Sequence, residues 1–330
     1  GYTPAERSPD RFHGVSPFNP ATGETAPPPS VSFSQVFGEE LTRLAEKDSR
    51  VCAITAAMTD GTGLSEFSRR FRNRCFDVGI AEEHAVTFSS GLARNGILPV
   101  FAVYSPFLQR CYDQLLNDTA LNHTHIVLAV DRAGAVPDDG ETHQGIFDVP
   151  LLSTIPGVTV FSPATYGELR IQLHQAIYDT PGIAVVRYPK GQEWPIPVPF
   201  RSDGSPYTLW EKPDADAVLL SYGRLFATAA QAAEGQPVSL VKLNRLFPRD
   251  EQLICALLRY KKVLIAEEGS AAGGVGQEIA AELALQGYTG RVYVRAVTHI
   301  PSVSKVPAAL VHAGLDTDSL AGWIGACCHE

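Results

Sequence analysis

From Ser32 onward, apolar and polar positions alternate in two rhythms. Val36, Phe37, Leu41 and Leu44 share one face of a helix that Ser32 or Ser34 can cap. Val51–Thr55 follows as a continuous apolar run of strand length, and Asp60-Gly-Thr-Gly63 supplies a turn. The same alternation predicts strands over 75–78, 99–104, 125–130, 159–161 and 183–187, separated by helices over 82–95, 107–120 and 167–179. Buried strands with helices between them predict an α/β fold, a doubly wound parallel sheet covered on both faces. Prolines at 189, 195, 197, 199, 206 and 213 then break the rhythm. A second α/β unit follows, with strands over 217–221, 238–243, 263–266 and 292–296 and helices near 225–233, 250–260 and 276–286. The chain thus divides into a Pro-rich leader (1–31), a first domain (32–188), a linker (189–213) and a second domain (214–330).

Composition narrows the class. With 45% hydrophobic and 19% charged residues among 330, the chain carries enough apolar material for a core, which excludes disorder and low complexity. A net charge of −9 argues against a nucleic-acid partner, although a few placed arginines can still reverse the local potential for an anionic substrate. The apolar runs are strand-sized, so no membrane span is expected, and the first residues lack the order of a signal peptide. Six cysteines without a CxxC pair predict neither a disulfide framework nor a metal site, and point to a reducing cytoplasm.

Three segments could carry chemistry. The loop Asp131–Phe147 follows a buried strand, where open α/β sheets place ligands, and gathers Arg132, Asp138, Asp139, Glu141 and His143; a solvated loop with turn-forming Asp and Gly is the plainer alternative. Gly79-Ile-Ala-Glu-Glu-His84 sits where a strand becomes a helix. Acids there favour the helix dipole, yet Glu82 and Glu83 point roughly 100° apart, so one can face the sheet. A carboxyl in an apolar setting binds its proton more tightly, as acid–base work requires. The segment from Tyr104 to Asp113 reads as an amphipathic helix start, but Tyr104, Phe107 and Arg110 recur at i+3 spacing beside a strand end. Two weaker patterns have ordinary explanations. His123-Thr-His125 lacks a third ligand, and Gly273-Gly-Val-Gly276 suits turn geometry or a small anion at a helix end. Serine-hydrolase and P-loop motifs do not occur.

Together, Phe76-Asp-Val-Gly-Ile-Ala-Glu-Glu-His-Ala-Val-Thr87, Tyr104-Ser-Pro-Phe-Leu-Gln-Arg-Cys-Tyr-Asp-Gln114, Asp131-Arg-Ala-Gly134, Asp139-Gly-Glu-Thr-His-Gln-Gly145 and Val186-Arg-Tyr-Pro-Lys-Gly191 closely resemble the 1-deoxy-D-xylulose-5-phosphate synthase family of the transketolase superfamily. Even the leader, with Gly1-Tyr-Thr-Pro-Ala-Glu6 and Phe12-His-Gly14, resembles the stretch that follows the family's first domain. The resemblance implies a pyrimidine-binding domain over 32–188 and a transketolase C-terminal domain over 214–330. The family's Gly-Asp-Gly…Asn motif, which holds Mg²⁺ and the diphosphate of thiamine diphosphate, does not occur here. By resemblance the chain is therefore the C-terminal two-thirds of such an enzyme, a fragment or a split subunit needing the diphosphate-binding domain in cis or in trans, and inactive alone.

The implied reaction condenses pyruvate with glyceraldehyde 3-phosphate, releasing CO₂ and forming 1-deoxy-D-xylulose 5-phosphate, a precursor of isoprenoids, thiamine and pyridoxal. Glu82 matches the acid that hydrogen-bonds the aminopyrimidine and His143 a catalytic histidine; Glu83 is then the outward or structural acid. Phe107, Tyr2 and Arg110 match cofactor-contacting positions. Tyr104, Arg132, Asp139 and Lys190 match the substrate side, with Lys190 standing where the family often has an Arg. A homodimer is implied. A related transketolase, a 2-oxoacid dehydrogenase β-type subunit and a non-catalytic α/β binding module are the alternatives.

Overall fold

The computed structural model describes residues 1–12, 15, 18–24, 30–200 and 203–329. His13 and Gly14 of the leader's Phe-His-Gly lie outside the described residues. The strands in chain order are β1 (Val51–Thr55), β2 (Cys75–Asp77), β3 (Leu98–Tyr104), β4 (Ile126–Asp131), β5 (Thr159–Phe161), β6 (Ile183–Arg187), β7 (Tyr207–Trp210), β8 (Ala217–Tyr222), β9 (Val238–Leu243), β10 (Arg245–Phe247), β11 (Lys262–Ser270) and β12 (Arg291–Val297). They form a seven-stranded sheet, ordered β10-β5-β6-β4-β3-β1-β2, and a five-stranded sheet, ordered β12-β11-β8-β9-β7. Within the larger sheet all pairings but one are parallel; β10 runs antiparallel to β5. In the smaller sheet β7 is antiparallel to β9 and the rest are parallel. The α/β fold and both sheets agree with the pattern of apolar runs.

Burial on both faces explains why these strands read as unbroken apolar runs. Phe101, Leu128 and Val185 pack on one face of the larger sheet, while Val100, Val127 and Ala184 pack on the other. The first of these cores is continuous with Val218, Leu220, Val241 and Leu243 of the smaller sheet. Its opposite face meets Phe226, Leu320 and Ile324. Ser32 caps the helix Phe33–Lys47, accepting from Gln35 N at 3.2 Å. Between the units, buried Lys242 on β9 donates to Glu168 at 2.6 Å.

Three expectations need correction. The helix expected over 107–120 is broken: Ser105–Leu108 is helical, Cys111 leaves the helical region with φ −112° and ψ 20°, and Leu115–Ala120 continues as a wider π turn. The widened turn carries Thr119 to within 2.7 Å of the buried Ser90 hydroxyl. The stretch 189–213 is more than a linker, because β7 lies in it and pairs with β9 from Tyr207↔Leu243 to Trp210↔Leu240. Two closing helices, Val306–Ala313 and Thr317–His329, went unpredicted. No helix among the described residues is long and apolar enough to cross a membrane.

Candidate active site

Parallel strands place their carboxyl ends along one edge, and Glu82, Tyr104 and Arg132 stand at or beyond the ends of β2, β3 and β4. Glu82 opens the helix Glu82–Ala93 beyond β2 and is only 2% exposed, while the Glu83 side chain stays about half exposed at 45%. The helical offset between neighbours thus turns Glu82 inward and Glu83 outward, as expected. Arg110 Nη1 stands 3.1 Å from Glu82 Oε2, with Glu83 Oε2 at 3.9 Å from Nη2. The 3.1 Å approach is an ion pair without hydrogen-bond alignment, so Glu82 Oε2 remains a buried acceptor without a donor. An acceptor of that kind is costly unless something supplies the missing donor. Arg110, expected at the cofactor, is committed here to the acid itself.

A second group forms around Tyr104 at the end of β3. Its ring stacks on Phe107 with centroids 6.0 Å apart, and Phe107 meets the His143 ring edge-to-face at 5.4 Å. On its other side the Arg132 guanidinium lies 3.8 Å from the Tyr104 ring centroid. Burial pushes the Tyr104 hydroxyl up to about 12, so it stays a neutral donor. Arg132 adopts a left-handed backbone, φ 61°, which is strained for a side chain with a Cβ. That turn lets Nη1 donate to Gly61 O at 2.7 Å and approach Asp131 Oδ2 at 2.8 Å. Asp131 is fully buried and also accepts from Ser34 at 2.7 Å; burial pushes its carboxyl above the usual range, against the pull of Arg132. Arg132 Nε is buried with no acceptor. Glu82 Oε2 and Glu83 Oε2 thus lack a hydrogen-bond donor, and Arg132 Nε, on the guanidinium beside the Tyr104 ring, lacks an acceptor.

Lys190 ion-pairs with Asp139 and reaches Asp138 at 3.4 Å, so two expected substrate residues meet each other. His143 contacts the Thr142 hydroxyl through Nδ1 at 3.0 Å. Tyr2 is not brought to this cluster by any described contact: its ring packs on Phe12 and Phe18, and its hydroxyl donates to Pro20 O at 2.9 Å. The His125 ring nitrogens face the carbonyls of Gly182 and Ile177 at 2.9 and 3.1 Å, a structural setting. Among the described residues, no group of three or more His, Cys, Asp or Glu could hold a metal. The glycine turn at 273–276 also has an internal answer. Glu267 accepts from Val275 N at 3.0 Å, Gly276 N at 2.9 Å and the Tyr222 hydroxyl at 2.8 Å, filling the helix end with the chain's own carboxylate. A Cβ at Gly276 would stand 2.6 Å from Val294 and 3.1 Å from Glu267 Oε1, so glycine permits the approach.

Sequence reasoning missed the buried pair Arg187–Asp148, with Nε donating at 2.8 Å, and the pair Arg224–Glu268. The available signal was a charged residue ending an apolar strand, in Ile183–Arg187 and again in Lys262–Ser270.

This arrangement sets an inward acid and an aromatic pair beyond the strand ends of one α/β unit, with a second α/β unit beside it. The family model described as "Transketolase, pyrimidine binding domain" matches residues 29–193, and "Transketolase, C-terminal domain" matches 207–320; the chain belongs to the transketolase family. Among curated relatives, 1-deoxy-D-xylulose-5-phosphate synthase of Desulforudis audaxviator is 45% identical over 88% of this chain and 47% of its own length. The synthase of Symbiobacterium thermophilum is 44% identical over 87% and 45%, respectively. The chain thus spans about half the length of these relatives, less than the two-thirds expected. A solved structure described as a split-gene transketolase, inactive beta4 tetramer, superposes with TM-score 0.79 and 25% identity, over 91% of this chain and 99% of that one. Transketolase from Leishmania mexicana shares the fold, with TM-score 0.75 and 16% identity over 92% of this chain and 46% of that chain.

Proposed function

We propose that this chain supplies the pyrimidine side and the acceptor loop of a cytoplasmic, homodimeric 1-deoxy-D-xylulose-5-phosphate synthase. The diphosphate of the cofactor and its Mg²⁺ are then held by a separate domain, in cis or in trans. The observation that carries this reading is Glu82, a buried carboxylate beyond β2 whose Oε2 lacks a hydrogen-bond donor, with the Phe107 ring just beyond the end of β3 in the same sheet. Those two groups fit an aminopyrimidine, which brings both a flat ring and a nitrogen that can share a proton with the acid. Thiamine diphosphate supplies the electron sink that decarboxylation of a 2-oxoacid requires.

The chain's own residues do the rest. Glu82 presents Oε2 to the ring nitrogen, and its low-dielectric setting strengthens the hydrogen bond between them. Phe107 orients the ring by stacking. Arg132, with its free Nε, and Lys190 bind the anionic groups of the substrates; the planar fork of Arg132 suits a carboxylate or a phosphate. In the net reaction the pyruvate carboxyl leaves as CO₂, its carbonyl carbon bonds to the aldehyde carbon, and the aldehyde oxygen gains a proton. On this reading His143, with Asp139 on the same loop, manages that proton. The product would feed isoprenoid, thiamine and pyridoxal synthesis.

The test supplies the chain with a diphosphate-binding domain from a relative and measures product from pyruvate plus glyceraldehyde 3-phosphate, in parallel with pyruvate plus a lipoyl acceptor. Deoxyxylulose phosphate is expected only when the domain is present. Acyl transfer to the lipoyl group, or no deoxyxylulose phosphate under any pairing, would remove the assignment. Calorimetry on the chain alone is expected to show no micromolar binding of thiamine diphosphate.

A further inference from the structure

The loop carrying Asp139 and His143 is gripped from the second unit. Arg224 follows β8 and Glu268 lies on β11; both are buried, at 4% and 6% exposure. Arg224 Nε donates to Glu268 Oε2 at 3.0 Å, and its Nη2 pairs with Oε1. The same two side chains bind one residue of the loop through the two peptide groups that flank its Cα: Ala135 N donates to Glu268 Oε1 at 2.8 Å, and Arg224 Nη2 donates to Ala135 O at 2.7 Å. Beside this residue, Gly134 and Gly145 exchange backbone hydrogen bonds of 2.7 and 2.9 Å, closing the loop stem. The returning limb is held as well, because Ser270 N on β11 donates to Ile146 O at 2.8 Å. Gly134 has φ +89°, and a Cβ there would stand 2.8–3.0 Å from the Glu268 carboxyl group.

A buried ion pair is a poor source of net stability, since desolvating two charges offsets their attraction. Its distinctive property is geometric: a guanidinium fork and a carboxylate together admit only one placement of the residue they bind. We propose that Arg224 and Glu268 are positioning residues that fix the 134–145 loop, and through it Asp139 and His143, for the aldehyde acceptor. The link to the acceptor rests on the reaction proposed above, whereas the clamp itself does not.

Two variants test it in the full chain: Arg224→Lys, which keeps the charge but loses the fork, and Gly134→Ala, which crowds Glu268 without touching the pair's charge. In hydrogen–deuterium exchange, the amides of Ala135, Gly134 and Gly145 are expected to exchange at least about tenfold faster in either variant, with β4 and β8 unchanged. In the assembled enzyme, kcat/KM for the aldehyde is expected to fall by about ten- to a hundredfold, with the KM for pyruvate unmoved. Unchanged loop exchange in both variants overturns the clamp, and so does a loosened loop with unaltered aldehyde kinetics. If the parent enzyme makes no deoxyxylulose phosphate, the reaction assignment fails while the exchange rates still decide the clamp. Should Arg224→Lys fail to fold, Gly134→Ala carries both measurements.

Discussion

The two α/β units each bury an acid beside the start of a helix and treat it in opposite ways. In the first, an acid at the start of the helix after β2, Glu82, is buried and left with an oxygen that no donor meets. In the second, the acid near the helix after β11, Glu267, accepts from two backbone amides and a tyrosine hydroxyl. Satisfied polar groups help hold a fold, whereas an unsatisfied one leaves a partner's place open. The contrast extends to the arginines. Arg224 donates from Nε and Nη2 to Glu268 and Ala135, while Arg132 keeps a buried Nε without an acceptor. The two units thus differ in whether these buried charged groups are supplied with partners.

The contrast breaks most visibly if Glu82→Gln behaves like Glu267→Gln. For Glu82→Gln in the assembled enzyme, product formation should fall by about a thousandfold. Stability by thermal or urea unfolding should change by under about 1 kcal/mol, because its partner Arg110 is half exposed. Near-parental turnover would end the assignment of Glu82. For Glu267→Gln the pattern inverts. Unfolding in urea should show a loss of about 1–3 kcal/mol, because a buried three-donor acceptor has been altered.

The same residue gives the comparison a pH signature. Burial raises the Glu267 carboxyl above the usual range, against the lowering effect of its amide and tyrosine donors. The native state then keeps a proton that the unfolded chain has already released. This contribution is full below the ordinary carboxylate range and is lost as pH rises through the raised native value. Stability of the parent should decline over that interval, and Glu267→Gln should flatten the decline in part, since buried Asp131 adds a slope of the same sign. An identical slope in parent and variant would place the titration elsewhere. The smallest effect is expected at Lys190→Arg. A fork in place of a point charge should lower the KM for the phosphorylated aldehyde by about twofold, worth about 0.5 kcal/mol, with kcat unchanged.

What could be read from the chain alone was whatever is local. The Ser32 cap, the apolar strands and the inward turn of Glu82 each follow from neighbours within a few residues, and each appears where expected. The 131–147 loop was legible because a long, charged connection after a buried strand is unusual. The π turn at Leu115–Ala120 was not, because the contact it makes, Thr119 with Ser90, joins residues 29 positions apart. The clamp on Ala135 was equally hidden, since its partners stand 89 and 133 positions away in sequence. Tyr2, taken from resemblance alone, lies in the leader's own aromatic cluster.

One strand bears on how the molecule comes apart. β10 belongs by sequence to the second family match, over 207–320, yet it completes the sheet of the first by pairing with β5. Modules defined by sequence and units defined by cooperativity therefore do not coincide. Cutting the chain in the 189–213 stretch would leave the edge of β5 bare and open to a foreign strand. It would also divide a hydrophobic core that runs from Leu128 to Val218 without interruption. The two halves are expected to unfold in a single transition, and the gene segment that can be inherited, shuffled or transplanted intact is the pair rather than either member.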